Sequence, residues 1–267
     1  MFHSETRLLL CSSHTLEINM NDWSFQLYSA RNHPPLSNTL QLLAEFGYTQ
    51  VEGFGGLYDQ AASLRQDLDS NCLTMPTGHF GLSQLEDLDQ AMKTIETLGV
   101  QTVICPHLAA DQRPSDAAGW KQMAEKLNEV GKPYKAAGLG FGWHNHDFEF
   151  AALENGQTPM EILLENSELS WEMDLAWVVR GKADPADWIQ RYGDRLCAVH
   201  VKDIAPAGEN ADEDGWADVG HGVIDWPGLY GQLRKTPATW YVMEHDKPND
   251  VARFARRSLA TVQTFAE

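Results

Sequence analysis

The sequence predicts a single (β/α)8 TIM barrel. Three observations carry that prediction. The length, 267 residues, is normal for one α/β barrel. Eight short apolar runs are each followed by a longer amphipathic one, and no long polar linker separates them. Strands alternating with helices imply a parallel sheet. Eight such units in this length favour closure over the alternative, an open doubly wound sheet.

Regular patterning starts at Trp23. Residues 1–20 are read as an N-terminal extension outside the fold, with Met20 as an alternative start. The run Leu8-Leu9-Leu10-Cys11 after Arg7 is too short for a signal-peptide core. The barrel domain is assigned to residues 21–267.

The first unit pairs a strand over Trp23–Tyr28 with a helix over Leu36–Phe46. A strand over Thr49–Gly53 and a helix over Leu57–Leu68 follow. Cys72–Pro76 is the third strand; Leu85, Leu88, Met92, Ile95 and Leu98 repeat at the three/four spacing of its helix. Val100–Cys105 is the fourth strand, ended by Pro106, and Trp120, Met123, Leu127 and Val130 mark the fourth helix. Leu139–His144 is the fifth strand, with Met160–Leu164 in the fifth helix. Leu169–Asp174 is the sixth, and Pro185 opens its helix at a position where the missing N–H loses no bond. Leu196–Val201 is the seventh strand; Asp225 is the expected N-cap of the helix over Pro227–Leu233. Trp240–Met243 and Val251–Phe265 complete the eighth unit.

Composition narrows the function. The formal net charge is -18. Such a surface repels phosphate backbones and anionic lipid and attracts divalent cations. No run of about 18 apolar residues occurs, so neither a nucleic-acid nor a membrane partner is expected. There is no GxGxxG or GxxxxGK[ST] loop to cradle a nucleotide. The four cysteines, Cys11, Cys72, Cys105 and Cys197, show no CxxC spacing. They are read as reduced thiols of a cytoplasmic protein.

In such barrels, chemistry gathers where strands end. Here Glu52 ends strand two, His79 strand three and His107 strand four. Strand five runs into Trp143-His144-Asn145-His146-Asp147-Phe148-Glu149, and strand six ends in Glu172-Met173-Asp174. Strand seven ends in His200-Val201-Lys202-Asp203, and strand eight in Glu244-His245-Asp246. Carboxylates and imidazoles therefore reach one rim from most strands. Buried there, they must be paired or liganded. The mixture suits one Mn²⁺, Zn²⁺, Fe²⁺, Co²⁺ or Mg²⁺ ion, with Mn²⁺ the first choice. Asp174, His200 and Glu244 stand in register on successive strands; an ordinary polar loop start is the alternative for each alone.

The same segments, together with Phe25-Gln26-Leu27-Tyr28-Ser29, Leu175-Ala176-Trp177, Ala183-Asp184-Pro185 and Val219-Gly220-His221-Gly222-Val223-Ile224-Asp225-Trp226, resemble the xylose-isomerase-like superfamily. That superfamily includes sugar epimerases, inosose dehydratases and apurinic endonucleases. The resemblance runs over residues 23 to 265. It implies metal ligation by Asp174, His200 and Glu244. The fourth ligand in many members is a strand-five Glu; here that place holds His144, with His146 and Glu149 as alternatives.

The implied activity is that of a sugar isomerase or epimerase acting on a ketose or keto-sugar, by proton abstraction next to a metal-bound carbonyl. His146 and Glu149 are the candidate bases, and a histidine of ordinary pKa is poised for that role near neutrality. Lys202, two residues beyond His200 on the same strand face, is a candidate catalytic group. Glu52, His79 and Trp177 are candidate substrate contacts, with Tyr28, Phe54 and Trp143 as further rim aromatics for a sugar's C–H faces. The runner-up is a lyase of the inosose-dehydratase or 3-keto-glycoside-cleaving type, which shares the first half-reaction. A non-catalytic sugar-binding barrel is a third reading. The charge argues against an apurinic endonuclease. The expected partner is a small polyhydroxylated molecule, with a homo-oligomer left open.

Overall fold

The computed structural model describes residues 23–266. The extension expected over residues 1–20 lies outside them. Strands β1 (Trp23–Gln26), β2 (Gln50–Phe54), β3 (Thr74–His79), β4 (Thr102–Cys105), β5 (Gly140–His144), β6 (Ser170–Asp174) and β7 (Leu196–Val201) run in sequence around a barrel. After a small hairpin, β8 (Asp203–Ile204) with β9 (Trp216–Ala217), strand β10 (Trp240–Met243) closes the barrel between β7 and β1. Every barrel pairing is parallel.

The surrounding helices are α1 (Leu36–Phe46), α2 (Ala61–Ser70), α3 (Leu82–Glu86), α4 (Leu88–Leu98), α5 (Ala117–Ala136), α6 (Pro159–Glu165), α7 (Leu175–Arg180), α8 (Pro185–Tyr192), α9 (Trp226–Leu233) and α10 (Val251–Gln263). They start where the sequence offers caps: Thr158 and Glu161 form a capping box on α6, and Asp184, Asp225 and Asp250 cap α8, α9 and α10. Each helix turns an apolar stripe to the sheet. On α10 that stripe is Val251, Phe254, Ala255, Leu259 and Val262.

The apolar core lies between sheet and helices. Phe25, for example, points outward from β1 and packs against Tyr48 and Phe254, with ring centroids 5.6 and 5.5 Å away. The alternate residues face the lumen, and near the strand ends they are polar: Gln26, Glu52, His79, Glu172 and His200 are all buried and bonded to one another.

Five local expectations are corrected. The first strand stops at Gln26, because the Gln26 side chain accepts the Tyr28 amide and tightens the chain into a 3-10 turn. The third strand runs Thr74–His79, since Cys72 takes a left-handed turn (φ 54) before it. The third helix is two helices, broken at Asp87, whose carboxylate caps the second. A short helix, α7, and the β8–β9 hairpin have no counterpart in the periodicity reading. Cys105 and Cys197 are free, but Cys72 is disulfide-bonded, against the expectation of reduced thiols throughout. Cys11 lies outside the described residues.

Candidate metal centre

Register decides which strand ends meet. Asp174 pairs with His200 across β6 and β7, and His200 with Val242 across β7 and β10. Residues paired side by side share a face, so Asp174 and His200 both enter the lumen. Glu244, two positions beyond Val242, joins them, and His144 enters from the end of β5. His144, Asp174, His200 and Glu244 bring one ligand atom each to within 4.8 Å of one another, and all four side chains are buried. They are the four residues that the sequence nominates as ligands.

His200 Nδ1 lies 2.9 Å from Glu244 Oε2 and 3.9 Å from Asp174 Oδ2. The His144 and His200 rings stand 4.5 Å apart, edge to face. Asp174 Oδ1 accepts the Trp177 amide at 2.8 Å and so caps α7, while Oδ2 is buried with no hydrogen-bond partner. Asn145 fixes the Asp174 backbone: its Oδ1 accepts the Asp174 amide at 3.0 Å and the Trp171 indole at 2.9 Å, and its Nδ2 donates to the Asp174 carbonyl at 3.1 Å. Sequence reading assigned Asn145 no role.

Lys202 is fully buried beside this set. Its Nζ lies 2.7 Å from Asp246, 3.1 Å from Glu244 and 3.5 Å from Asp174. It also sits 4.3 Å from the ring centre of Trp216 and 5.0 Å from that of Trp177. Burial opposes its charge, but Asp246, Glu244 and Asp174 outweigh it and hold the ammonium protonated. Burial likewise opposes ionisation of Glu244, yet Lys202 and His200 keep that carboxyl well below its usual range. Burial lifts Asp174 to about 6, with the neighbouring Glu244 charge adding to the shift against Lys202. Three carboxylates thus share one ammonium, and one carboxylate oxygen has no hydrogen-bond partner. A divalent cation fits that donor set: two imidazoles and two carboxylates, with no thiolate.

Glu52 and His79 lie in a layer with Glu172, two residues down β6 from Asp174. Glu52 Oε1 is 2.7 Å from His200 Nε2, and His79 Nε2 is 2.5 Å from Glu172 Oε2. Both are engaged in imidazole–carboxylate pairs among the lumen residues. Alternation along the strand from Asp174 would have flagged Glu172.

The two candidate bases separate. Glu149 is buried: its Oε1 accepts the Trp143 indole at 3.1 Å and its Oε2 the His146 amide at 2.9 Å. Trp143 precedes the lumen-facing His144, so its side chain points out of the barrel; it is fully buried and no rim aromatic. Glu149 therefore organises the turn after β5. Burial pushes its pKa up to about 8. The His146 ring lies 5.1 Å from His144 and 5.3 Å from Trp177, with Nδ1 unpartnered. Burial, and then Lys202, lower its pKa to about 3, so the expectation of an ordinary pKa is corrected.

The mouth carries aromatic walls. Tyr28 meets Phe54 edge-on at 5.3 Å, and His107 and His146 stand 5.1 Å apart beside Trp177. Trp216, edge-on to Trp177 at 4.8 Å, arrives on the β8–β9 hairpin. Asp203 holds the chain around that hairpin: its carboxylate accepts the amides of Ile204, Gly220, Gly222 and Ile224 at 2.8–3.2 Å. A side chain at position 222 would collide with that carboxylate, which explains the glycine. His221, between the two glycines, is exposed.

The sequence profile of the xylose isomerase-like TIM barrel family matches residues 40–262. Among curated proteins nothing matches. Solved structures share the fold at low identity. A sugar phosphate isomerase/epimerase from Parabacteroides distasonis superposes with a TM-score of 0.77 at 23% identity, covering 96% of this chain and 98% of that one. The probable 3-DHS dehydratase of Bacillus anthracis reaches 0.71 at 13% identity, covering 91% and 98%. The 3-keto-D-glucoside 4-epimerase of E. coli reaches 0.68 at 17% identity, covering 91% and 99%.

Proposed function

The chain belongs to the xylose isomerase-like TIM barrel family, and from that premise we propose that it is a divalent-metal-dependent sugar isomerase or epimerase acting on a ketose or keto-sugar. The observation that carries the proposal is the convergence of His144, Asp174, His200 and Glu244, with Asp174 Oδ2 buried and without a hydrogen-bond partner. These four side chains are the proposed ligands, and Mn²⁺ is the proposed ion. The chemistry a divalent ion supplies there when bound is polarisation of a substrate carbonyl, which acidifies the adjacent C–H.

The chain's own residues supply the remainder. Lys202 places a permanent ammonium beside the ligand carboxylates, where it favours negative charge developing on a substrate oxygen. His146 is the proposed proton acceptor, because its ring is neutral near pH 7 and Nδ1 has no partner. Glu149 acts through the His146 amide, as a positioning residue. Trp177, with Tyr28 and Phe54, offers ring faces to a sugar's C–H groups.

An uncharged substrate is supported by the cations of the mouth, which are already engaged. Arg31 donates to the carbonyls of Tyr28 and Asp246, Arg180 to that of Asp214, and Lys247 pairs with the Asp214 carboxylate. The second reading, a lyase or dehydratase, is favoured by Lys202, a buried ammonium whose charge would stabilise a departing hydroxyl or alkoxide oxygen. The test is solvent-deuterium uptake by ketoses and 3-keto-glycosides with the Mn²⁺-loaded protein. Exchange of one C–H, absent in an Asp174→Ala/His200→Ala variant, is expected. No exchange across the panel, by protein shown to hold the metal, would sink both readings.

A further inference from the structure

A second group of side chains able to hold a cation lies deeper in the lumen: His79, His144, Glu172 and His200, all buried. Its centre is one carboxylate oxygen. Glu172 Oε2 has nitrogens of three imidazoles around it, His79 Nε2 at 2.5 Å, His144 Nδ1 at 3.1 Å and His200 Nε2 at 3.2 Å. The three rings are mutually close, with centroids 5.0 Å (His79–His144), 5.2 Å (His79–His200) and 4.5 Å (His144–His200) apart. Glu52 Oε1 borders the group, 2.7 Å from His200 Nε2 and 3.1 Å from His79 Nε2, and is itself steadied by Gln26 Nε2 at 2.7 Å.

Two features point to a cation here. In a tetrahedral site with bonds of about 2.0–2.1 Å, neighbouring ligand atoms stand about 3.3 Å apart. Glu172 Oε2 already stands 2.5–3.2 Å from the three imidazole nitrogens, and the four ligand atoms lie within 4.8 Å of one another. Second, Glu172 Oε1 and Glu52 Oε2 are buried with no hydrogen-bond partner. Unsatisfied carboxylate oxygens in a buried layer are costly, and a cation accepts one or both oxygens of a carboxylate.

We propose that His79, His144, His200 and Glu172 form a second divalent-cation site, one layer inside the barrel from the four-residue centre above. Three imidazoles with a single carboxylate suit borderline ions such as Zn²⁺ or Co²⁺ better than Mn²⁺ or Mg²⁺. The inference rests on the proposed metal centre only in sharing His144 and His200. The ring of His200 reaches both layers, with Nδ1 2.9 Å from Glu244 and Nε2 3.2 Å from Glu172. Occupancy of the inner site would hold that ring, and through it the outer donor set, in one orientation.

The probe is Co²⁺, titrated into the metal-stripped protein and followed by visible absorption and elemental analysis. Two equivalents are expected in the wild type. One should remain in Asp174→Asn/Glu244→Gln, with the stronger visible band of a four-coordinate site, and one in His79→Ala/Glu172→Gln. Circular dichroism of each variant shows whether it has kept its fold. The wild type and the single His79→Ala variant give the same answer if a double variant unfolds. Wild type that saturates at one equivalent, unchanged by His79→Ala, overturns the inner site and leaves the outer one standing. Wild type that binds no Co²⁺ overturns both.

Discussion

Asp174 gives one carboxylate oxygen to the Trp177 amide, at 2.8 Å, while the other has no hydrogen-bond partner and lies 3.5 Å from the Lys202 ammonium. The same side chain thus ends a strand, starts a helix and aims an oxygen into the lumen. The cap fixes its rotamer, so the free oxygen costs no further ordering when it meets a cation.

Asp174→Asn separates these roles. The amide oxygen can still cap α7, but an amide nitrogen is a poor ligand. The expected result is a folded protein whose Mn²⁺ affinity falls at least about 100-fold. Isothermal titration calorimetry reads this directly. Wild-type affinity in the variant would remove Asp174 from the ligand set.

Lys202→Met takes away the one ammonium shared by Asp174, Glu244 and Asp246. Leaving those carboxylates uncompensated should cost about 3–5 kcal/mol of stability in the metal-stripped protein. Mn²⁺ should recover part of the loss. Thermal unfolding in chelator and in excess Mn²⁺ tests the idea, and equal losses in both would show that ion and ammonium do not share these carboxylates.

Asp203→Ala deletes the acceptor of four backbone amides around the β8–β9 hairpin. The segment carrying Trp216 should loosen by about 2–3 kcal/mol. Limited proteolysis should then cut first between residues 205 and 224, and hydrogen exchange at Gly220, Gly222 and Ile224 should accelerate. Mn²⁺ affinity should hardly change. Unchanged exchange at those amides would mean that the loop is held by other contacts, such as Asp218 with Arg253 and Arg257.

Glu149 sets a pH dependence. Burial raises its carboxyl from 4.5 to about 8 in the folded protein. The folded state therefore binds the extra proton between those values, and stability falls as pH rises through that window. The slope is at most about 1.4 kcal/mol per pH unit for one proton. Glu149→Gln, which resembles the protonated form, should remove this slope. Denaturant unfolding at pH 5 to 9 measures it, and identical slopes in both proteins would refute the shift.

Much of the fold was legible because its signals are local. Alternating apolar runs and three/four-spaced stripes depend on neighbours a few residues away, and they mark eight strand–helix units correctly. Boundaries fail where a side chain intervenes: Gln26 ends β1 early, and Asp87 splits one helix into two.

The sequence by itself determined that carboxylates and imidazoles end successive strands, so Asp174, His200 and Glu244 could be nominated together, and the family resemblance added His144, with His146 and Glu149 as alternatives. Only the tertiary structure decided what each nominated group touches. Glu149 turned outward to the Trp143 indole, and burial deprived His146 of ordinary basicity. Glu52 met His200 across 148 residues of sequence. Barrel register brings such pairs together, and low-dielectric burial sets their charge. Both are properties of the closed sheet, and no local stretch of sequence encodes them.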